Sequence, residues 1–350
     1  MKLQRRLFGK FLVGLTISGV IASCASPNTT TENATGAEQS QQEVTLTLVS
    51  YAVTQSAYEK IVPQFVEYWE QETGQKVTID QSYGGSGSQA RAVIDGLEAD
   101  IVALALSSDH YAIQEAGLIE PGWEDNVSGQ NGIITRSVVA LVGREGGETV
   151  ENWQDLADPD ISVITANPKT SGGARWNFLA LWGSVVEAGG TVEQAKEFVG
   201  QVYSSVATLP RDAREASDVF YSRNQGDVLM NYENELLLAE SQGRVQPYVI
   251  PTDYNISIEG PIAVVDEYVD RRGTREVAEA FVEFLYTVEA QRAFAEAGFR
   301  PVNQEVFAEF SDRFPVIENL FTIEDFGGWP QAQPDFFDDG AIFDQAISGR

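Results

Sequence analysis

The chain has 350 residues, 43% of them hydrophobic and 10% aromatic, enough material for two lobes of ordinary size. With 52 acidic and 23 basic residues its formal net charge is −29, which argues against nucleic acid or anionic lipid headgroups as partners, since both demand basic surface. The lone cysteine, Cys24, and the lone histidine, His110, exclude an intrachain disulfide, a Cys/His zinc site and a Cys–His nucleophilic pair.

Residues 1–23 place Lys2, Arg5, Arg6 and Lys10 ahead of a short apolar run from Phe11 to Ala22, the pattern of an export signal that is too short to be a good membrane span. The run ends in Ile21, Ala22, Ser23 and Cys24, which resembles a lipobox, so Cys24 is expected to carry a lipid anchor. Paired Arg5 and Arg6 also fit twin-arginine export. Residues 24–43 contain almost no large apolar side chain and read as a disordered tether.

From residue 44 strand and helix patterns alternate: strand 44–53, amphipathic helix 56–74, strand 76–83, helix 88–99 and buried strand 100–107. Strands at 137–145 and 161–168, helices at 173–189 and 192–205, and a strand followed by a helix over 226–241 continue the series. A strand near 255 and a long helix over 274–298 follow. The alternation predicts α/β lobes, each with a mostly parallel sheet flanked by helices and a cleft between them. His110 follows a strand-like run and reads as a surface or loop residue.

Two glycine-rich turns stand out. In "QSYGGSGSQARAVIDG" a strand leads through Gly84, Gly85, Ser86 and Gly87 into a helix, and in "ITANPKTSGGARWNFLALWG" Ser171, Gly172 and Gly173 do the same. Glycine lets the backbone approach a ligand, and the first helical turn presents amide groups without intrahelical partners at the positive end of the helix dipole. Such a turn binds an anion without formal charge. Neither turn is a Walker A or a dinucleotide motif. Each alone is equally ordinary capping chemistry; in two different lobes, they suggest a clamp on one small anion.

The strings "QSYGGSGSQARAVIDGLEADIVALAL", "VITANPKTSGGARWNFLALWG" and "LFTIEDFGGWPQAQPDFFDDGAIFD", with "VSYAVT", "RGTREVAEAFVEFLY" and "FRPVN", together resemble the periplasmic sulfate-binding proteins of the bacterial sulfate/thiosulfate ABC transporter, from about Val44 to Ile347. The resemblance implies a type II periplasmic-binding-protein fold, with residues 44–135 plus 255–347 as one lobe and 136–254 as the other. It implies no catalysis, no cofactor and no metal: sulfate or thiosulfate is held in a closed cleft and delivered by a monomer to ABC permease subunits. Carried over, the ligand groups are the amides of Ser86, Gly172, Gly173 and Ala213 and the hydroxyl of Ser171. Two positions differ from the common family pattern. Ala52 stands where many members have an aspartate acting through its backbone, and Tyr232 stands for a tryptophan whose indole N–H bonds the ligand. A phenol both donates and accepts, so preference among tetrahedral oxyanions, including molybdate, tungstate and phosphate, stays open. Asp212 and Glu233 flank two of these positions as helix-start or surface acids and are expected to turn away from a dianion. A different class, a pyridoxal-phosphate enzyme using Lys169 beside the second turn, is the remote alternative.

Overall fold

The computed structural model describes residues 43–125 and 130–348; the export signal, Cys24 and all but the last residue of the tether lie outside them. The chain first runs through β1 (Val44–Tyr51), α1 (Gln55–Thr73), β2 (Val77–Gly84), α2 (Ser86–Ile94), β3 (Ile101–Ala103), α3 (Ser107–Glu115) and β4 (Ile133–Ser137). It continues through β5 (Val139–Val142), β6 (Val163–Ile164), α4 (Gly172–Val186), α5 (Val192–Ser204), β7 (Val206–Thr208), α6 (Ala213–Tyr221), β8 (Val228–Tyr232), α7 (Glu233–Ser241) and β9 (Tyr248–Val249). It returns through β10 (Asn255–Ile256), β11 (Ile258–Pro261), β12 (Ala263–Val264), α8 (Asp266–Arg272), α9 (Arg275–Phe284), α10 (Val288–Glu296), β13 (Arg300–Pro301) and β14 (Leu320–Phe321).

Two main sheets result. The first has strand order β12-β3-β1-β2, with β1 parallel to β2 from Val44 opposite Val77 to Tyr51 opposite Gly84, and β1 parallel to β3. The second has order β7-β6-β8-β5-β9; β7, β6 and β8 are parallel, and β5 runs antiparallel to β8. Helices cover both sheets because their apolar faces demand it. On α1 the residues Ala57, Tyr58, Ile61, Phe65 and Trp69 recur at helical spacing and are buried, and Gly74 ends the helix at φ 71° with its N–H on Glu70 O.

Several boundaries differ from the sequence expectation, each for a local reason. The apolar run at 137–145 reads as one strand, but the chain changes sheets at Val138: β4 pairs with β11 and β13, whereas β5 pairs with β8 and β9. The helix expected over 274–298 is two helices, α9 and α10, the second capped by the Thr287 hydroxyl, which accepts from Ala290 N. α2 begins at Ser86, two residues earlier than expected, so Ser86 and Gly87 belong to its first turn. His110 is not on the surface: it is fully buried on α3, stacked on Trp123 at 4.8 Å, with Nδ1 and Nε2 at 3.1 and 3.2 Å from the carbonyls of Leu106 and Val102. Burial lowers its pKa, against the pull of those two carbonyls.

The C-terminal stretch packs on the helices of the second sheet. Phe336, Phe337 and Phe343 all meet Phe178 of α4 edge-on at 5.6 to 6.2 Å, and Phe343 also meets Tyr203 of α5.

Where the chain passes between the sheets, one side chain ties two passages together. Asn255 is fully buried; its Nδ2 donates to Val139 O (2.9 Å) and Pro251 O (3.1 Å), and its Oδ1 accepts from Val139 N (3.1 Å) and Ile256 N (2.9 Å). Four bonds saturate the amide. Asn255→Ala strands these backbone groups and is expected to destabilise the protein by about 1–3 kcal/mol. A denaturant midpoint that stays at the wild-type value would contradict this role for Asn255.

Candidate functional site

The parallel strands of both sheets point their carboxyl ends at one place, the location where open α/β sheets bind ligands. β1 ends at Tyr51, followed by a single turn over Ala52–Thr54 that feeds α1; β2 ends at Gly84, just before α2. From the second sheet, the chain after β6 leads to Ser171 and α4, that after β7 to Asp212 and α6, and β8 ends at Tyr232. These segments, with Val53 and Ala105, line one small cavity of about 10 Å³. Ser86, Ser171, Ala213 and Tyr232 are all buried around it, so the cleft is closed.

Glycine is required here by close approach. A Cβ on Gly85 would lie 2.6 Å from Thr170 O, and one on Gly172 would lie 2.7 Å from the Ala105 methyl and 3.2 Å from Ser86 Cβ. The starts of α2 and α4 therefore abut directly. A Cβ on Gly173 would lie 2.4 Å from the Tyr232 ring, which packs flush against the backbone there.

All seven residues expected from the sequence line this one cavity: Ala52, Ser86, Ser171, Gly172, Gly173, Ala213 and Tyr232. The backbone N–H groups of Ser86, Gly172, Gly173 and Ala213 have no partner among the described residues. Each opens a helix or helical turn, where intrahelical acceptors are lacking. Ser171 is the N-cap of α4; its Oγ accepts from Ala174 N at 3.3 Å, which leaves its own proton uncommitted. Tyr232 Oη is buried without a partner among the described residues. Burial pushes its pKa well above the usual phenol value, with Tyr51, Glu235 and Asp109 adding in the same direction, so it is a neutral O–H at physiological pH.

The two flanking acids turn aside. Asp212 caps α6, accepting from Glu215 N at 2.8 Å, and also meets Arg211 Nε at 3.3 Å. Glu233 is fully buried rather than on the surface, and is forked by Arg300 at 2.6 and 2.9 Å. Desolvation raises its pKa while the guanidinium opposes the rise. Lys169 also points away: its Nζ donates to Phe337 O at 2.9 Å and pairs with Asp344 at 2.9 Å, so it does not serve the cavity.

One carboxylate escaped sequence reasoning. Asp109, buried on the first turn of α3, accepts from Ser86 Oγ at 2.5 Å, and Ser86 Oγ in turn accepts from Ala105 N at 2.9 Å. The Ser86 hydroxyl is thus spent within the protein, and only its amide is left for a ligand. No short-range pattern links positions 86 and 109. The cavity is consequently lined by uncharged donors: the four free amides, the Ser171 hydroxyl and the Tyr232 hydroxyl. Among the described residues no group of acidic, histidine or cysteine side chains is arranged to hold a metal.

A model of bacterial extracellular solute-binding proteins matches residues 46–300. A protein named sulfate-binding protein from Synechocystis is 58% identical, with 97% of each chain covered. A thiosulfate-binding protein from Pseudomonas aeruginosa is 37% identical over 86% of this chain and 91% of its own. The solved sulfate-binding protein of Mycobacterium tuberculosis matches with a TM-score of 0.77 at 38% identity, over 84% of this chain and 100% of its own. These relatives are transport proteins, not enzymes, which together with the placement of Lys169 removes the pyridoxal-phosphate reading. The chain belongs to the bacterial extracellular solute-binding proteins, with a two-lobed α/β fold shared with relatives named for sulfate and thiosulfate.

Proposed function

We propose that this protein captures sulfate between its lobes and hands it to an ABC permease in the membrane. The observation that carries this reading is the closed cavity whose free polar groups can all donate, namely amides at three helix starts and two hydroxyls, with every neighbouring carboxylate turned away or covered. A fully ionised dianion needs donors and no acceptor, and charge-assisted bonds from oriented amides hold it well in a water-free site. Ser86, Gly172, Gly173 and Ala213 supply amides, and Ser171 and Tyr232 supply hydroxyls. Thiosulfate shares this chemistry and is the second ligand the relatives favour. Phosphate carries a proton at neutral pH and needs an acceptor, which here only the hydroxyl oxygens of Ser171 and Tyr232 offer in place of a carboxylate.

The packing of Phe336, Phe337 and Phe343 on α4 and α5 supports moving the C-terminal stretch to the lobe of residues 136–254. The export signal and Cys24 support a periplasmic protein tethered by lipid, with a second acyl chain needed for firm anchoring.

Calorimetry of the mature domain is expected to show one sulfate per chain. Tight phosphate binding with no heat from sulfate would falsify the assignment. Ser171→Ala is expected to cost about 1–3 kcal/mol of sulfate affinity by removing a donor to a charged ligand. Tyr232→Phe should cost a similar amount in binding, about 1–3 kcal/mol, yet leave the melting temperature of the ligand-free protein unchanged, because Oη has no partner in the protein. A variant that binds sulfate as tightly as wild type would remove Tyr232 from the ligand set.

A further inference from the structure

At the edge of the cavity, the backbone of one residue, Ala105, joins the two sheets. Trp176 lies on α4, one turn beyond Gly172 and Gly173, and is fully buried; its indole Nε1–H donates to Ala105 O at 2.8 Å. Ala105 follows β3 of the first sheet, and its own N–H donates to Ser86 Oγ, which donates to Asp109. α4 packs against β5 and β8 of the second sheet. The bond from Trp176 therefore crosses the cleft and ends on the residue whose N–H fixes Ser86.

We propose that Trp176 is a positioning residue that latches the closed cleft and sets how long the bound anion stays. The inference rests on the proposed capture of sulfate between the lobes. Three features support it. The indole N–H and the Ala105 carbonyl satisfy each other only when the start of α4 is seated against Ala105 and Leu106, the approach that glycine at position 172 allows. The ring packs edge-on against Trp329 at 4.8 Å, which fixes the direction of its donor. Its acceptor is the carbonyl of the same residue whose N–H holds the Ser86 hydroxyl, so closing the latch and ordering the first-sheet amide donor are coupled through Ala105. When the cleft opens, both ends of this bond must separate, and the cost falls on release rather than on capture.

Stopped-flow measurement of sulfate binding and release tests the latch. Trp176→Phe keeps a large aromatic ring but removes the indole donor; release is expected to quicken about tenfold, with the association rate within about twofold of wild type. A second reading uses the wild-type protein alone: the Trp176 indole N–H should exchange with solvent slowly in the presence of sulfate and markedly faster without it. An unchanged release rate, or an indole that exchanges equally slowly in both states, would overturn the latch and make the bond part of a permanent core. Failure of the wild-type protein to bind sulfate is seen before either comparison; it overturns the proposed function and takes the latch with it.

Discussion

Everything at the cleft depends on backbone amides left without acceptors at the starts of helices. Three such starts converge, at Ser86, Gly172 and Ala213, because each follows the carboxyl end of a parallel strand. The local field there is positive although the protein as a whole is strongly negative. A formal cation in the cavity would attract an anion too, but it would remain as an unpaired buried charge when the site is empty; amides and hydroxyls avoid that cost.

The arrangement also limits what can change. Glycines at 85, 172 and 173 are dictated by what lies opposite them, namely the Thr170 carbonyl, the Ala105 methyl and the Tyr232 ring. Asp109 is a carboxylate close to the proposed anion site, and it is tolerable there because the Ser86 hydroxyl covers it. Glu233 carries the same hazard and is neutralised by Arg300 from β13. The acidic composition is thus managed residue by residue around the cavity.

Much of this was legible in the sequence, and what was not shares a cause. Strand–Gly–Ser–helix strings are local signals, so the turns at 84–87 and 171–173 could be read directly, and the family resemblance added Ala52, Ala213 and Tyr232. The change of sheet at Val138 could not be read, since a continuous apolar run looks the same whether its residues pair with one sheet or two. Nor could the burial of His110 against Trp123, the cover over Asp109 or the bond from Trp176 to Ala105, each of which joins residues through the fold and not through spacing. The aromatic tail around Phe336 and Phe343 was visible as composition, but its choice of α4 and α5 as partners is a tertiary fact.

The central claim is that oriented dipoles in a closed cavity, not formal positive charges, hold the anion. The dependence of the sulfate dissociation constant on ionic strength tests it most directly. Between about 0.01 M and 1 M salt, where the Debye length falls from about 30 Å to about 3 Å, the constant should stay within about threefold, or tighten slightly as surface repulsion is screened. A weakening of tenfold or more over that range would mean that exposed cations carry the binding, and would contradict the account.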